Sequence, residues 1–312
     1  MRGVRADNGV IRVGDEPART GDGAVLRVAE SGICGSDLHM IASGTARAVL
    51  GHEFGGWLDG RLVAVRPTGA CNSCASCSRG FPNTCRETWS TAYGIARDGG
   101  LADEVSIDPA RAYAMPEGAR PVDAALVEPL AVSVHGVRRG RVEHGARALV
   151  VGAGSIGLLT VAALRAAGLD ADMVSRHPHQ SAAAEALGAR VVESPVDSSY
   201  PWVFDAVCTQ QTLDACVSAA EPGGTVVEFG MFWQPTQLTN SWMFKEVVLV
   251  PAMAYSHHHD HDDFLEAARL AGTDRSIADS IVTHTFGLDD ASEAFRTASD
   301  RSSGSIKVHL IP

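Results

Sequence analysis

The stretch Val150-Val151-Gly152-Ala153-Gly154-Ser155-Ile156-Gly157 decides how the middle of the chain is read. An apolar, β-branched run leads straight into G-x-G-x-x-G, and a helical pattern follows at 155–167. In such a turn the first glycine permits the tight bend, the second lets backbone approach a pyrophosphate, and the third lets helix pack on strand. The free N–H groups of the first helical turn, at Ser155 and Ile156, then suit phosphate oxygens. A tight strand–helix turn without a ligand carries the same glycines, so the surroundings decide. Working outward, strands are predicted at 147–151, 172–175, 190–192, 203–207, 225–229 and 246–251, with helices at 180–187 and 212–220 between them. That alternation marks a parallel, doubly wound Rossmann sheet, and in its context the glycines predict a bound nucleotide.

The tip of the second strand distinguishes nucleotides, because an acid there grips a ribose 2′-hydroxyl. Here it reads Met173-Val174-Ser175-Arg176-His177, with Asp170 and Asp172 expected to precede the strand rather than end it. Ser175 and Arg176 offer a hydroxyl and a guanidinium, which suit a 2′-phosphate and favour NADP(H) over NAD(H). The competing reading of Arg176 is a solvated surface charge.

The flanks have a different texture. Residues 1 to about 123 show short alternating runs, as at 24–29 and 61–65, which predict strands joined by turns. After about 256 come a helix at 264–271, a mixed stretch and a last strand at 306–310. A chain of 312 residues suits two domains of ordinary size, and 45% hydrophobic with 20% charged residues describes a soluble globular protein. The net charge of -11 argues against nucleic acid or an anionic membrane surface as partner, since either needs a basic face. The longest uncharged apolar run, 148–164, is cut by three glycines and falls short of the roughly 20 residues of a membrane span. Residues 1–9 show no apolar core of a signal peptide, so a cytoplasmic protein is expected.

Cys71, Cys74, Cys77 and Cys85 form a C-x2-C-x2-C-x7-C run. Four thiolates so close can complete a tetrahedral zinc site with no open position, the coordination of a structural metal. Seven cysteines would be an odd number for a disulfide framework, and Cys208 and Cys216 read as small buried hydrophobes. The only lysines, Lys245 and Lys307, lie in strand-like apolar stretches, which argues against Schiff-base chemistry. Metal-ligand residue types flank the lobe on both sides. Gly32-Ile33-Cys34-Gly35-Ser36-Asp37-Leu38-His39 and Gly51-His52-Glu53-Phe54 stand upstream, and Val127-Glu128-Pro129 to His135 stand downstream. Taken singly, Cys34 could be a buried thiol and His52 a satisfied core histidine.

In this order, the motifs together resemble the zinc-containing medium-chain dehydrogenase/reductase family over essentially the whole chain. The Glu128-Pro129 pair is closer to its sorbitol- and threonine-dehydrogenase-like branch. The resemblance implies a discontinuous, GroES-like, mainly-β catalytic domain from residues 1–123 and 257–312, with the zinc lobe at 71–85, and a Rossmann domain from 124–256. It implies two Zn2+ per chain. Cys34, His52 and Glu128 would ligate the catalytic ion, with Glu53 binding it or exchanging with Glu128, while the four cysteines hold the structural one. Ser36 would relay the hydroxyl proton, His39 would shuttle it onward, and Asp37 would hold a ligand side chain or the local backbone; Ser36 and Asp37 can also be read as turn and helix-cap residues. Gly230 and Met231, in the loop Gly230-Met231-Phe232-Trp233, would approach the nicotinamide or substrate, or else pack a subunit interface. Family members are dimers or tetramers, so a homodimer or homotetramer acting on a small-molecule alcohol or carbonyl substrate is implied.

Two departures bear on substrate. The segments 38–51 and 57–65 are shorter than is usual in the family, and they help shape the substrate entrance. The run His257-His258-His259-Asp260-His261-Asp262-Asp263 is also unusual; loop material with Asp262 or Asp263 capping the next helix is preferred to a metal site. The leading reading is a zinc-dependent, NAD(P)-linked alcohol dehydrogenase or carbonyl reductase. The alternatives are a reductase of an activated C=C or C=N bond with spectator zinc, and a nucleotide-binding protein without catalysis.

Overall fold

A computed structural model describes residues 1–16, 23–258, 260–300 and 302–312. The chain divides into two compact units, one of Met1–Glu128 with Ser256–Pro312 and one of Pro129–Tyr255. No helix among the described residues is long and apolar enough to cross a membrane.

The unit Pro129–Tyr255 is built on six parallel strands. Their spatial order is Arg190–Val192, Asp170–Val174, Arg147–Val151, Tyr200–Asp205, Ala220–Glu228 and Val248–Pro251. The order reverses between Arg147–Val151 and Tyr200–Asp205, the switch point at which doubly wound sheets bind their ligands. Ala148, Leu149 and Val150 are fully buried, because helices cover both faces of such a sheet. Leu213, Cys216 and Val217 of the helix Gln210–Ala219 pack on Leu149, Val203 and Val226. The glycines act as their spacing predicts. Gly152 takes φ +98°, where a β-carbon would run into the Val207 side chain, and a β-carbon on Gly157 would run into the Gly152 carbonyl oxygen.

Asp170 and Asp172 do not precede the second strand: it spans Asp170–Val174, and Asp172 is wholly buried within it. An acid is tolerated there because its carboxylate is fully engaged. Arg147 and Arg190 reach it at 2.9 and 2.5 Å, and the Tyr200 hydroxyl donates at 2.8 Å. The residues following the strand are Ser175 and Arg176, as the sequence suggests.

The other unit carries a seven-stranded, largely antiparallel sheet. Its path runs Val282–Gly287, Lys307–Ile311, Ala24–Gly32, Glu53–Leu58, Arg61–Val65 and Ala112–Ala114, with Glu104–Ile107 also paired to Ala24–Gly32. Two apolar clusters hold it. Leu26, Phe54, Val65 and Ile107 form one, and Leu50, Leu101, Phe295 and Leu310 lie in the other. The last strand pairs with the end of Ala24–Gly32, setting His309 opposite Gly32. The mixed stretch after residue 271 resolves into the helices Arg275–Ile281 and Ala291–Ser299 with the strand Val282–Gly287 between them. Asp262 caps the helix Asp263–Thr273 by accepting from the Phe264 and Leu265 amides. His257, His258 and His261 lie in a small hairpin, and His259 lies outside the described residues.

Candidate active site and metal centres

In the first unit, the strand Ala24–Gly32 ends two residues before the helix Gly35–Ala42, and Cys34 stands at the N-cap between them. The Cys34 amide donates to Asp37 Oδ2 at 2.9 Å, which fixes the cap. The other oxygen of the wholly buried Asp37 lies 3.3 Å from His52 Nδ1. Ser36 Oγ lies 3.2 Å from His52 Nε2. One helical turn thus orders both a thiol and an imidazole. His52 arrives just before the strand Glu53–Leu58, which pairs with the end of Ala24–Gly32 and sets Glu53 opposite Gly32.

Cys34, His52 and Glu53 offer ligand atoms within 4.8 Å of one another. Burial alone would press the His52 pKa down; Asp37 and Cys34 outweigh it and hold it well above the usual value. Glu128 is half-buried and is not in this group, although its charge acts on Lys307. His39 is exposed on the same helix as Ser36.

Sequence reasoning missed Lys307. Its ammonium donates to both oxygens of Glu53, at 2.7 and 2.5 Å, and to the Ile33 carbonyl at 3.2 Å. Both partners are almost wholly buried. Burial would neutralise each, yet Lys307, with His52, keeps Glu53 below its ordinary range, and Glu53, with Cys34, keeps Lys307 above its own. The available signal was a lone lysine in an apolar strand, which needs a buried counter-charge.

The donor set fits a borderline divalent cation: one thiol, one imidazole and a carboxylate, with Asp37 facing Nδ1 of the His52 ring.

The four-cysteine lobe also converges. Cys74 Sγ lies 3.5 Å from Cys77 Sγ and 3.8 Å from Cys85 Sγ, and all four cysteines are free. Backbone N–H groups point at the sulfurs: Cys71 and Glu87 donate to Cys85 at 3.3 and 3.4 Å, and Cys74 to Cys71 at 3.3 Å. Backbone and side-chain donors at Ser73, with the Cys74 amide, pull the Cys71 thiol down to about 6. These donors favour the thiolate, the form that binds zinc, at Cys71 and Cys74, whereas burial and the neighbouring thiols push Cys77 up to about 12.

In the second unit, Gly154 caps the helix Ser155–Ala166, leaving the first-turn amides of Ser155 and Ile156 beside the bend. Ser175 Oγ lies 2.7 Å from Ser181 Oγ, and Arg176 is exposed beyond the strand end. Gly230 and Met231 follow the strand Ala220–Glu228 and are exposed; the Gly230 amide donates to Cys208 Sγ at 3.0 Å.

A parallel nucleotide sheet in one unit and a thiol–imidazole–carboxylate group in the other define an oxidoreductase architecture, and comparison with known proteins identifies it further. Residues 123–310 match the glucose dehydrogenase C-terminus family and residues 21–117 the alcohol dehydrogenase GroES-like domain. L-galactonate-5-dehydrogenase of Escherichia coli (strain K12) is 29% identical over 87% of this chain and 86% of its own length. Galactitol 1-phosphate 5-dehydrogenase of the same strain is 25% identical over 99% of both chains. The crystal structure of galactitol-1-phosphate dehydrogenase from Escherichia coli superposes with a TM-score of 0.88 at 26% identity, covering 100% of both chains. A protein from Sinorhizobium meliloti 1021 solved bound to NADP gives 0.87 at 27% identity, covering 100% of this chain and 99% of that one. The chain belongs to the zinc-containing medium-chain dehydrogenase/reductase family, in its sorbitol-dehydrogenase-like branch. It is an NAD(P)-linked oxidoreductase of the alcohol dehydrogenase class.

Proposed function

We propose that this protein is a zinc-dependent dehydrogenase that interconverts a polyol-type secondary alcohol and its ketone, with NADP(H) preferred. The observation that carries this reading is the convergence of Cys34, His52 and Glu53, ordered by Asp37 and Ser36, in a chain of this family. The polyol assignment draws on the substrates named for the L-galactonate and galactitol 1-phosphate enzymes. The NADP(H) preference draws on Arg176 at the second strand end and on the NADP-bound relative.

In this reading residues 1–123 and 257–312 form the catalytic domain, and 124–256 the nucleotide domain. Cys34 and His52 hold one zinc, and Glu53 and Glu128 share the carboxylate position; the grip of Lys307 on both Glu53 oxygens makes that ligand exchangeable. Cys71, Cys74, Cys77 and Cys85 hold a second, structural zinc. When bound, the catalytic zinc supplies Lewis acidity toward a substrate oxygen and the nicotinamide supplies a hydride acceptor or donor. Ser36 accepts the alcohol proton at Oγ and passes it toward the exposed His39 on the next turn. Asp37 holds the Cys34 amide and the His52 ring. Gly152, Gly154 and Gly157 admit the pyrophosphate to the amides of Ser155 and Ile156, while Ser175 and Arg176 meet the 2′-phosphate. Gly230 and Met231 line the nicotinamide end.

The protein acts as a homodimer or homotetramer. In support, Val248–Pro251 is an edge strand whose Val248 is 51% exposed, close in sequence to Phe244 at 84%. An open apolar edge invites pairing with a second copy.

The test is Cys34→Ser with the four-cysteine lobe intact. One zinc equivalent and turnover of polyols should be lost together, with NADPH binding retained. Turnover that persists after loss of that zinc overturns the reading.

A further inference from the structure

At the carboxyl ends of two neighbouring strands in the nucleotide unit, two acids stand side by side. Asp205 ends Tyr200–Asp205 and Glu228 ends Ala220–Glu228, and they are partners in the parallel register. Asp205 is wholly buried and Glu228 is 8% exposed. Asp205 Oδ1 accepts from the Val207 and Cys208 amides at 2.8 and 3.0 Å, whereas its Oδ2 has no hydrogen-bond partner. Neither oxygen of Glu228 has one either.

A third group joins them. Cys208 is buried, and its thiol, with the two carboxylates, offers ligand atoms all within 4.8 Å of one another. The backbone at Cys208 takes φ +59°, a conformation that favours glycine, so a side chain is kept there at a steric cost. The Gly230 amide donates to its sulfur at 3.0 Å, yet burial and the two acids hold the thiol well above its ordinary range, so a bound cation is what would draw its proton off.

Two buried carboxylates with three unsatisfied oxygens are a costly arrangement unless a positive charge stands among them. Burial first, then the Asp205 charge, pushes the Glu228 carboxyl up to about 8; among the described residues no basic side chain opposes them. A proton shared between Glu228 and Asp205 would serve two of these oxygens and leave the third, and the sulfur, without a positive partner. A cation would serve all three and the sulfur. A thiolate with two carboxylates is too soft a set for magnesium or calcium and too hard for copper(I), while zinc-class ions accept sulfur and oxygen together.

We propose that Asp205, Cys208 and Glu228 bind a divalent metal of the zinc class in the nucleotide unit, at a site that shares no residue with the active-site group or the four-cysteine lobe. Binding forms bonds from the metal to the Cys208 sulfur and to carboxylate oxygens. It releases the thiol proton, and any proton on Glu228, to solvent; no electron changes hands. The metal ties the 205–208 turn to the end of Ala220–Glu228. Because Val207 in that turn packs on Gly152, the tie lies one residue from the nucleotide bend.

The experiment strips the full-length protein with a chelator, reloads it with Zn2+ alone, removes loose metal by gel filtration and measures zinc per chain by mass spectrometry. Glu228→Val should hold one zinc fewer than wild type. Cys208→Gly, which places the favoured residue at the positive φ and so retains the turn, should also hold one fewer. Zinc should raise the melting temperature of wild type by more than that of either variant. Equal zinc content in wild type and both variants overturns the proposal. Cys34→Ser, measured alongside, keeps the two readings apart: a loss there with none at Glu228→Val sustains the active site and sinks this one.

Discussion

The Lys307–Glu53 pair shows what a single buried charge demands. Removing a buried partner leaves the other charge uncompensated, which costs about 3–5 kcal/mol. Lys307→Met should therefore lower unfolding stability by about that amount, and Glu53→Gln added to it should recover a large part; urea titration of both variants checks this. If the double variant is as unstable as the single one, the pair is not the source of the effect. Arg176 makes a separate prediction. A charge-assisted hydrogen bond to a phosphate contributes about 1.5–3 kcal/mol, so Arg176→Ala should cut the NADPH-over-NADH preference by about tenfold or more. Unchanged KM ratios would assign Arg176 to bare surface. These residues differ in how they could be read. Cys34 and His52 stand in local motifs that announce chemistry by spacing, whereas Lys307 meets its partner across 254 residues, and nothing local in either segment names the other.

At the scale of elements, apolar runs were the legible part. Arg147–Val151, Arg190–Val192 and Arg61–Val65 form strands over the residues predicted, because alternating or continuous branched side chains specify them. The partners of acids inside strands were the illegible part. The predicted strand begins at Asp172, whereas the observed one holds it in the interior, because three donors from three other elements engage its carboxylate. Glu228 lies within a strand the sequence does predict, but its partner Asp205 sits on a neighbouring strand and nothing local links the two. Ala291–Ser299 was missed although Ala291, Ala294, Phe295 and Ala298 make an apolar stripe, because alanine and threonine blur the helical period. The Asp172 network carries a pH prediction. Burial pushes its pKa up, but Arg190, Tyr200 and Arg147 outweigh that and hold it below the usual value. A lowered folded-state pKa gives stability that is present above the unfolded value, about 3.9, and lost as pH falls through the folded one. Asp172→Asn should be destabilised by about 3 kcal/mol at pH 7, and its gap from wild type should close below about pH 4. Thermal melts across that range decide it; a gap independent of pH rules out the ion network.

Over the whole molecule, stability is distributed between sheets with large cores and a lobe with almost none. Within 71–85 only Pro82, Asn83 and Cys85 are buried, so its order rests on the sulfurs rather than on apolar packing. If the four cysteines hold a zinc as proposed, Cys77→Ser should release it and expose this segment to proteolysis while leaving the nucleotide unit able to bind NADPH. A segment that resists proteolysis equally in the variant would show that zinc is not what orders it. Chain order has a further consequence. Synthesis adds roughly 5–20 residues each second and delivers early segments first. Glu53 emerges from the ribosome 254 residues ahead of Lys307, its counter-ion. For that interval the nascent carboxylate lacks the ammonium that grips both its oxygens in the folded chain. The sheet that buries it gains its partner strand only when Lys307–Ile311 has been made, so the group around Cys34, His52 and Glu53 matures long after its own residues have left the ribosome.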